Sequence, residues 1–123
     1  MNLSMAKKKE WEDLLKEYDL IKEGETIEEH TAGDYYALLD QKRGNYFFTQ
    51  EAVIFVSGYG FNNVVMPYKD IKEMKKCFVG PFIPTGIKLS VINEKGKLKK
   101  HKLSVLKRAG WMEYIAKRAG ISF

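Results

Sequence analysis

Apolar residues recur at helical spacing near the start of the chain and again near its end. The first stripe predicts an amphipathic helix and consists of Trp11, Leu14, Leu15, Tyr18 and Ile21, with Lys and Glu between them. Ser4 is a candidate N-cap for this helix and Gly24 a candidate stop signal. The second stripe predicts a closing helix and consists of Trp111, Met112, Ile115, Ala116 and Ala119.

Between the two stripes the pattern changes to short segments rich in β-branched and aromatic residues, separated by Gly, Asn, Asp and Pro. This is typical of successive antiparallel strands. The predicted strands are residues 25–31, 35–40, 44–49, 52–57, 63–67, 73–78, 87–93 and 99–106. Residues 71–78 also suit a helical stripe, and a strand is favoured there. Asn93 to Gly96 reads as a hairpin turn, in which Gly96 takes a positive φ.

A helix, about seven or eight strands and a second helix, without βαβ alternation, predict a mainly β (α+β) fold. The antiparallel sheet should curl or close on itself, with the last helix capping one end. A chain of 123 residues is long enough for one hydrophobic core. We therefore expect an N-terminal helix over residues 1–22 and a β-rich domain over residues 23–123, folding as one unit.

Several short strings resemble the GRAM and bacterial pleckstrin-homology-like (PH-like) domains over residues 24–117. The matching residues are Gly24-Glu25, Arg43-Gly44, Thr49 before Glu51, Val53-Ile54-Phe55-Val56, Met66-Pro67-Tyr68, Asp70-Ile71 and Trp111. The chain has Gln50 and Ala52 where the family often has Asn and Arg of a Thr-Asn-x-Arg string. The resemblance implies a PH-like β-barrel or sandwich of about seven strands, and such motifs specify a fold better than a function.

The residues offer little for catalysis. Only His30 and His101 could act as a histidine base, and no Ser or Cys is visibly paired with either. The one cysteine, Cys77, and the Cys/His spacing provide no zinc site. Gly58 to Phe61 lacks the remaining residues of a phosphate or dinucleotide loop and reads as a hairpin connection. We therefore expect a non-enzymatic protein without metal or cofactor.

Charge and segment composition indicate where the protein would act. The formal net charge is +5, and the sequence has neither a signal-peptide pattern nor a membrane-length apolar run. The expectation is a cytoplasmic, bacterial-type protein, and peripheral association with a membrane is compatible with it.

The densest basic cluster is a candidate anion- or lipid-binding site formed by Lys95, Lys97, Lys99, Lys100 and Lys102. The alternative is a solvated hairpin whose lysines protect an edge strand. PH domains that bind phosphoinositides resemble one another in carrying basic residues around the loop between their first two strands. Residues 31–34, read as that loop, hold no Lys or Arg, so selective phosphoinositide binding is not expected there.

An apolar loop over residues 79–86 holds Phe82 and Ile83 between two prolines, in a segment that cannot be a central strand. These two residues could contact a partner protein, enter a membrane surface, or fold back onto the core. The leading hypothesis is a binding module for a protein partner or for self-association. The alternatives are anionic-lipid binding through the basic cluster and the apolar loop and, last, nucleic-acid binding.

Overall fold

The computed structural model describes residues 3–37, 40–57 and 62–123. Within these ranges the chain forms an N-terminal helix, seven strands and a C-terminal helix. These are α1 (Met5–Glu17), β1 (Ile27–Ala37), β2 (Asp40–Thr49), β3 (Ala52–Ser57), β4 (Asn62–Pro67), β5 (Ile71–Val79), β6 (Ile83–Ile92), β7 (Leu98–Ser104) and α2 (Arg108–Ala119), with a 3-10 turn at Tyr68–Asp70.

All strands belong to one antiparallel sheet in the order β4-β3-β2-β1-β7-β6-β5. The short pairing of β1 with β7, from Asp34 to Tyr36, joins the β1–β4 half to the β5–β7 half. The sheet is curled but not closed into a barrel, since β4 and β5 remain its two edges. The predicted fold class is confirmed in this open form.

The concave side of the sheet holds the larger core, and α2 plugs it. Met112 and Ile115 of α2 are buried among strand residues that include Phe55 and Leu89. Trp111 stacks on Phe48, with ring centroids 4.6 Å apart and an interplanar angle of 5°. The apolar stripe predicted at the end of the chain thus caps the core, as expected.

A second, smaller core lies on the opposite face of β1, β2 and β3, beneath α1. Leu15 of α1 is fully buried against a cluster containing Phe47 and Ile54, and the Trp11 ring lies 4.7 Å from that of Phe47. Because both faces of β3 are covered, all six of its residues are buried. This explains the unbroken apolar run at 53–56, where a half-exposed strand would alternate.

Hydrogen bonds tie α1 and the segment after it to the sheet. A carboxylate oxygen of Glu12 accepts from the Ile27 backbone N–H at 2.7 Å, and the Thr49 hydroxyl donates to buried Glu25 at 2.5 Å. Ser4 caps α1 as predicted, accepting from the Lys7 N–H. The helix ends earlier than expected, at Glu17 rather than near Gly24, and Asp19 just beyond it has a φ of 57°.

The prediction of a loop at 31–34 is wrong, because these residues lie inside the unbroken strand β1. Gly33 and Asp34 resemble a turn signal, but a glycine is needed at position 33 because β7 passes close to its backbone. A Cβ on Gly33 would lie 2.6 Å from the Ser104 carbonyl oxygen. The β1–β2 connection falls between Ala37 and Asp40, so the lack of Lys and Arg at residues 31–34 does not describe the loop between the first two strands.

The prediction for 79–86 also needs correction. Strand β6 already begins at Ile83 and contains Pro84. The proline is tolerated because this end of β6 pairs only with β5, through Ile83 and Val79, while pairing with β7 starts at Gly86. The strand predicted at 73–78 and the turn at Asn93–Gly96, with Gly96 at a φ of 75°, are both confirmed. The Gly58–Phe61 connection lies outside the described residues.

Candidate functional site

The two halves of the sheet differ on their outer faces. The outer face of β1–β3 is covered by α1, whereas the outer face of β5–β7 exposes side chains such as Lys75, Leu98 and Lys100 to solvent. Ligands and partners can therefore reach the β5–β7 face directly.

Three lysines lie side by side across this exposed face. Lys88 of β6 is directly opposite Lys75 of β5 and Lys102 of β7 in the strand register. We call Lys75, Lys88 and Lys102 the lysine row. Side chains directly opposite each other in antiparallel strands have Cβ atoms about 5 Å apart, and like charges at that distance destabilise the sheet.

Little within the described residues offsets the charge of the lysine row. The Lys75 ammonium lies 3.7 Å from the Glu73 carboxylate, but both side chains are exposed, so the pair is weak. The Lys102 ammonium lies 5.7 Å from the centre of the Tyr36 ring, across the β1–β7 pairing. The row therefore keeps a concentrated positive charge.

Exposed apolar side chains mark the β5–β6 hairpin at one end of this face. Phe82 is 85% exposed, Phe78 59% and Ile83 55%. We call Phe78, Phe82 and Ile83 the apolar tip. The possibility that Phe82 and Ile83 fold back onto the core is thereby excluded. Phe78 follows Lys75 by three residues, or about 10 Å along the strand.

The five lysines expected from the sequence do not share one site. Lys100 and Lys102 lie on the outer face, while Lys99 is on the face of buried His101. Lys95 and Lys97 belong to the β6–β7 turn, where their backbone N–H groups donate to the Asn93 side chain.

The β6–β7 turn and the apolar tip lie at opposite ends of β6. Strand β6 runs from Ile83 to Ile92, which corresponds to about 30 Å. The basic β6–β7 turn and the apolar tip therefore cannot both contact a flat membrane surface when β6 stands perpendicular to that surface.

Lys75, Lys88 and Phe78 are not among the site residues expected from the sequence. Lys75 and Lys88 join Lys102 only through strand pairing, and pairing register is not a local signal. Phe78 alternates like a core residue, although the hairpin tip leaves it exposed. A search for lysines at equivalent positions of consecutive predicted strands could have found the row.

Both histidines are buried in structural roles. His101 Nδ1 lies 2.6 Å from the Tyr35 hydroxyl; burial, helped by the charge of Lys99, lowers the pKa of His101 to about 4. His30 Nε2 lies 2.8 Å from the Asn45 side-chain oxygen, and its ring packs on Phe47. In the described part of the chain, no group of three or more His, Cys, Asp or Glu residues could hold a metal ion.

The helices within the described ranges are too short or too polar to cross a membrane.

Comparison with known proteins identifies the fold. No family model matches the chain, and no curated protein does. Among solved structures, the chain is similar to the C-terminal domain of an unknown protein from Leishmania infantum, with a TM-score of 0.70 and 18% identity over 89% of this chain and 97% of that one. It is also similar to the Vps36 N-terminal PH domain, with a TM-score of 0.61 and 17% identity over 82% and 83% of the two chains.

A third similar structure is that of human RhoA in complex with the DH/PH fragment of PDZRHOGEF. The TM-score is 0.63 and the identity 8%, over 87% of this chain and 32% of that one. At these identities the likeness defines the fold alone. The chain thus has a PH-like fold.

Proposed function

We propose that this chain is a non-enzymatic binding module that docks on anionic membrane surfaces through the lysine row and the apolar tip. The observation that carries the proposal is the register of Lys75, Lys88 and Lys102, which places three like charges side by side, while the exposed side chains of the apolar tip lie at the end of the same β5–β6 hairpin. The exposure of this face and the PH-like fold support it further.

The energetics favour a lipid surface as the ligand of this face. A lysine near an anionic bilayer surface contributes about 1 kcal/mol, and burial of a Phe side chain about 1.5–3 kcal/mol. Phe78, the residue of the apolar tip nearest along the chain to the row, lies about 10 Å along the strand from Lys75, a distance comparable with the Debye length of about 8 Å at physiological salt. The tip can therefore enter the bilayer interface while the row remains within reach of lipid phosphates.

Co-sedimentation with phosphatidylcholine vesicles, with and without phosphatidylserine, tests the proposal. The triple variant Lys75→Gln/Lys88→Gln/Lys102→Gln should lower binding to the anionic vesicles by roughly one to two orders of magnitude, at about 1 kcal/mol for each lysine. Phe82→Ser/Ile83→Ser should weaken binding as well. Added salt should weaken wild-type binding.

The matched control is Lys95→Gln/Lys97→Gln/Lys99→Gln, which removes the same charge at the far end of β6. We expect this variant to retain most of the binding. Equal losses of vesicle binding in the two triple variants would show that binding depends on the net charge of the protein and not on the lysine row. Wild-type binding that ignores phosphatidylserine would refute the proposal.

The hypothesis of a protein partner or of self-association is supported by a different part of the molecule, the free edge of β4.

A further inference from the structure

The two edge strands of the sheet are protected to different degrees. β5 carries four charged side chains, Lys72, Glu73, Lys75 and Lys76, whereas β4, with the sequence Asn-Asn-Val-Val-Met-Pro, carries none. Charged residues, lysine above all, are a common means by which natural edge strands avoid pairing with another chain. β5 is therefore protected by charge against further pairing, whereas β4 has no charged residue and carries only Pro67, at its last position, as an edge-protecting residue.

Hydrogen-bond alternation shows which backbone groups of β4 face outward. The Tyr68 N–H donates to the Glu51 carbonyl at 3.0 Å, so the backbone groups of Met66 and Val64, two and four residues earlier, also point towards β3. Those of Val65 point away from β3. Pro67 belongs to the same outward set, where a missing N–H is tolerated.

Val65 is also the exposed side chain in the middle of this edge. It is 38% exposed, while Met66 beside it is fully buried in the core. Among the described strands, β3 is the only neighbour of β4. Both the backbone and the side chain of Val65 are thus accessible to an added strand.

The surroundings of this edge are electrically balanced, unlike the lysine row. An open cleft of about 800 Å³ beside Val65 and Pro67 is lined by equal numbers of basic and acidic residues, including Lys69, Arg118 and Glu51. Such a surface does not repel a copy of itself, although the chain as a whole carries a net charge of +5.

We propose that β4 pairs with β4 of a second copy of this chain, antiparallel about a two-fold axis at Val65. In this register the two Val65 residues exchange both backbone hydrogen bonds and cover each other's side chain. Val64 of one copy then lies opposite Met66 of the other, both on the core face.

A second copy fits this edge because the pairing is self-limiting. The two-fold axis joins the two uncharged β4 edges into one continuous sheet, whose remaining edges are the lysine-bearing β5 strands. Head-to-tail pairing of β4 with β5 would continue into fibres and is opposed by the β5 charges. The lysine row and the apolar tip stay exposed in the pair, so this proposal does not depend on membrane docking.

Light scattering coupled to size exclusion tests the proposal over a dilution series. We expect wild-type protein at twice the 14.2 kDa monomer mass, dissociating on dilution. Val65→Lys places a charge on the edge and should give a monomer whose melting temperature matches that of the dissociated wild type. The control Leu98→Lys puts the same charge on an exposed residue of β7 and should remain dimeric.

Disulfide cross-linking gives an independent readout that does not require Val65→Lys to fold well. In a Cys77→Ser background, Val65→Cys should form a covalent dimer under mild oxidation, because directly opposite Cα atoms in a hydrogen-bonded pair lie about 5.5 Å apart. Leu98→Cys in the same background should not. A wild type that is monomeric at all concentrations, a dimer unaffected by Val65→Lys, or equal cross-linking of both cysteine variants would overturn the proposal.

Discussion

The Tyr35 hydroxyl and the His101 imidazole meet at 2.6 Å inside the core, linking β1 to β7 beside the short pairing that joins the two halves of the sheet. With His101 neutral, the hydroxyl donates to Nδ1. Burial is the main cause of the low pKa of His101, about 4, and the charge of Lys99 lowers it further. The hydrogen bond between β1 and β7, at the junction of the two halves of the sheet, thus depends on a neutral His101.

Acidification should weaken the fold through His101. The pKa of His101 is lower in the folded chain, about 4, than its ordinary value of 6.5, so the unfolded chain binds more protons between these values. Stability is fully present above pH 6.5 and is lost as the pH falls towards 4, by on the order of 2–3 kcal/mol from this residue. Urea unfolding at a series of pH values measures the loss.

The control for this prediction is His101→Gln, which keeps hydrogen-bonding capacity for Tyr35 but does not titrate. Its free energy of unfolding should change less than that of wild type between pH 7 and pH 4.5. Parallel pH profiles for the two proteins would show that other groups cause the acid sensitivity.

Helix α1 should contribute to the stability of the whole domain. Leu15 is fully buried against the outer face of β2 and β3. Leu15→Ala should therefore lower the free energy of unfolding by about 2–5 kcal/mol in a single transition. The control is Lys9→Ala on the exposed side of the helix. Separate transitions for helix and sheet would contradict a single folding unit over residues 1–22 and 23–123.

Two glycines should respond to alanine in opposite directions. Gly33→Ala forces a Cβ against the Ser104 carbonyl and should destabilise the protein by about 1–3 kcal/mol. Gly110 lies in α2 with open space around its Cβ position, so Gly110→Ala should stabilise by up to about 1 kcal/mol. Thermal unfolding compares the two variants, and a harmless Gly33→Ala would mean that β1 and β7 can separate locally.

Local patterns were sufficient for most of the fold. The strand-like composition of residues 87–93 predicted β6, and the stripe containing Trp111 predicted the capping helix. The pattern failed where a residue serves a distant neighbour, as Gly33 does for β7. Nor does an apolar run such as residues 53–56 indicate which element covers its second face, which in this fold is α1.

The candidate surface was predictable only in part for the same reason. Lys100, Lys102, Phe82 and Ile83 were found from charge density and proline placement. Lys75 and Lys88 reach the same face through strand register, which depends on pairings between segments far apart in the chain. The same register separates Lys95 and Lys97 from the apolar tip.

Replacing Lys88 should raise stability while lowering membrane binding. Lys88 stands between Lys75 and Lys102, so Lys88→Thr removes two like-charge neighbours and introduces a residue that favours strands. We expect a gain of about 0.5–1 kcal/mol in the free energy of unfolding at low salt, shrinking as salt is added. Binding to phosphatidylserine vesicles should fall in the same variant.

Lys100→Thr is the matched control, because Lys100 pairs with Ser90 rather than with a lysine. It makes the same chemical change on the same face, so its stability gain should be smaller and less dependent on salt. If both variants gain equally, the lysine row carries no repulsive strain that an anionic ligand could relieve. If Lys88→Thr alone gains stability and loses binding, the repulsion within the row is retained at a cost in stability because it serves the ligand.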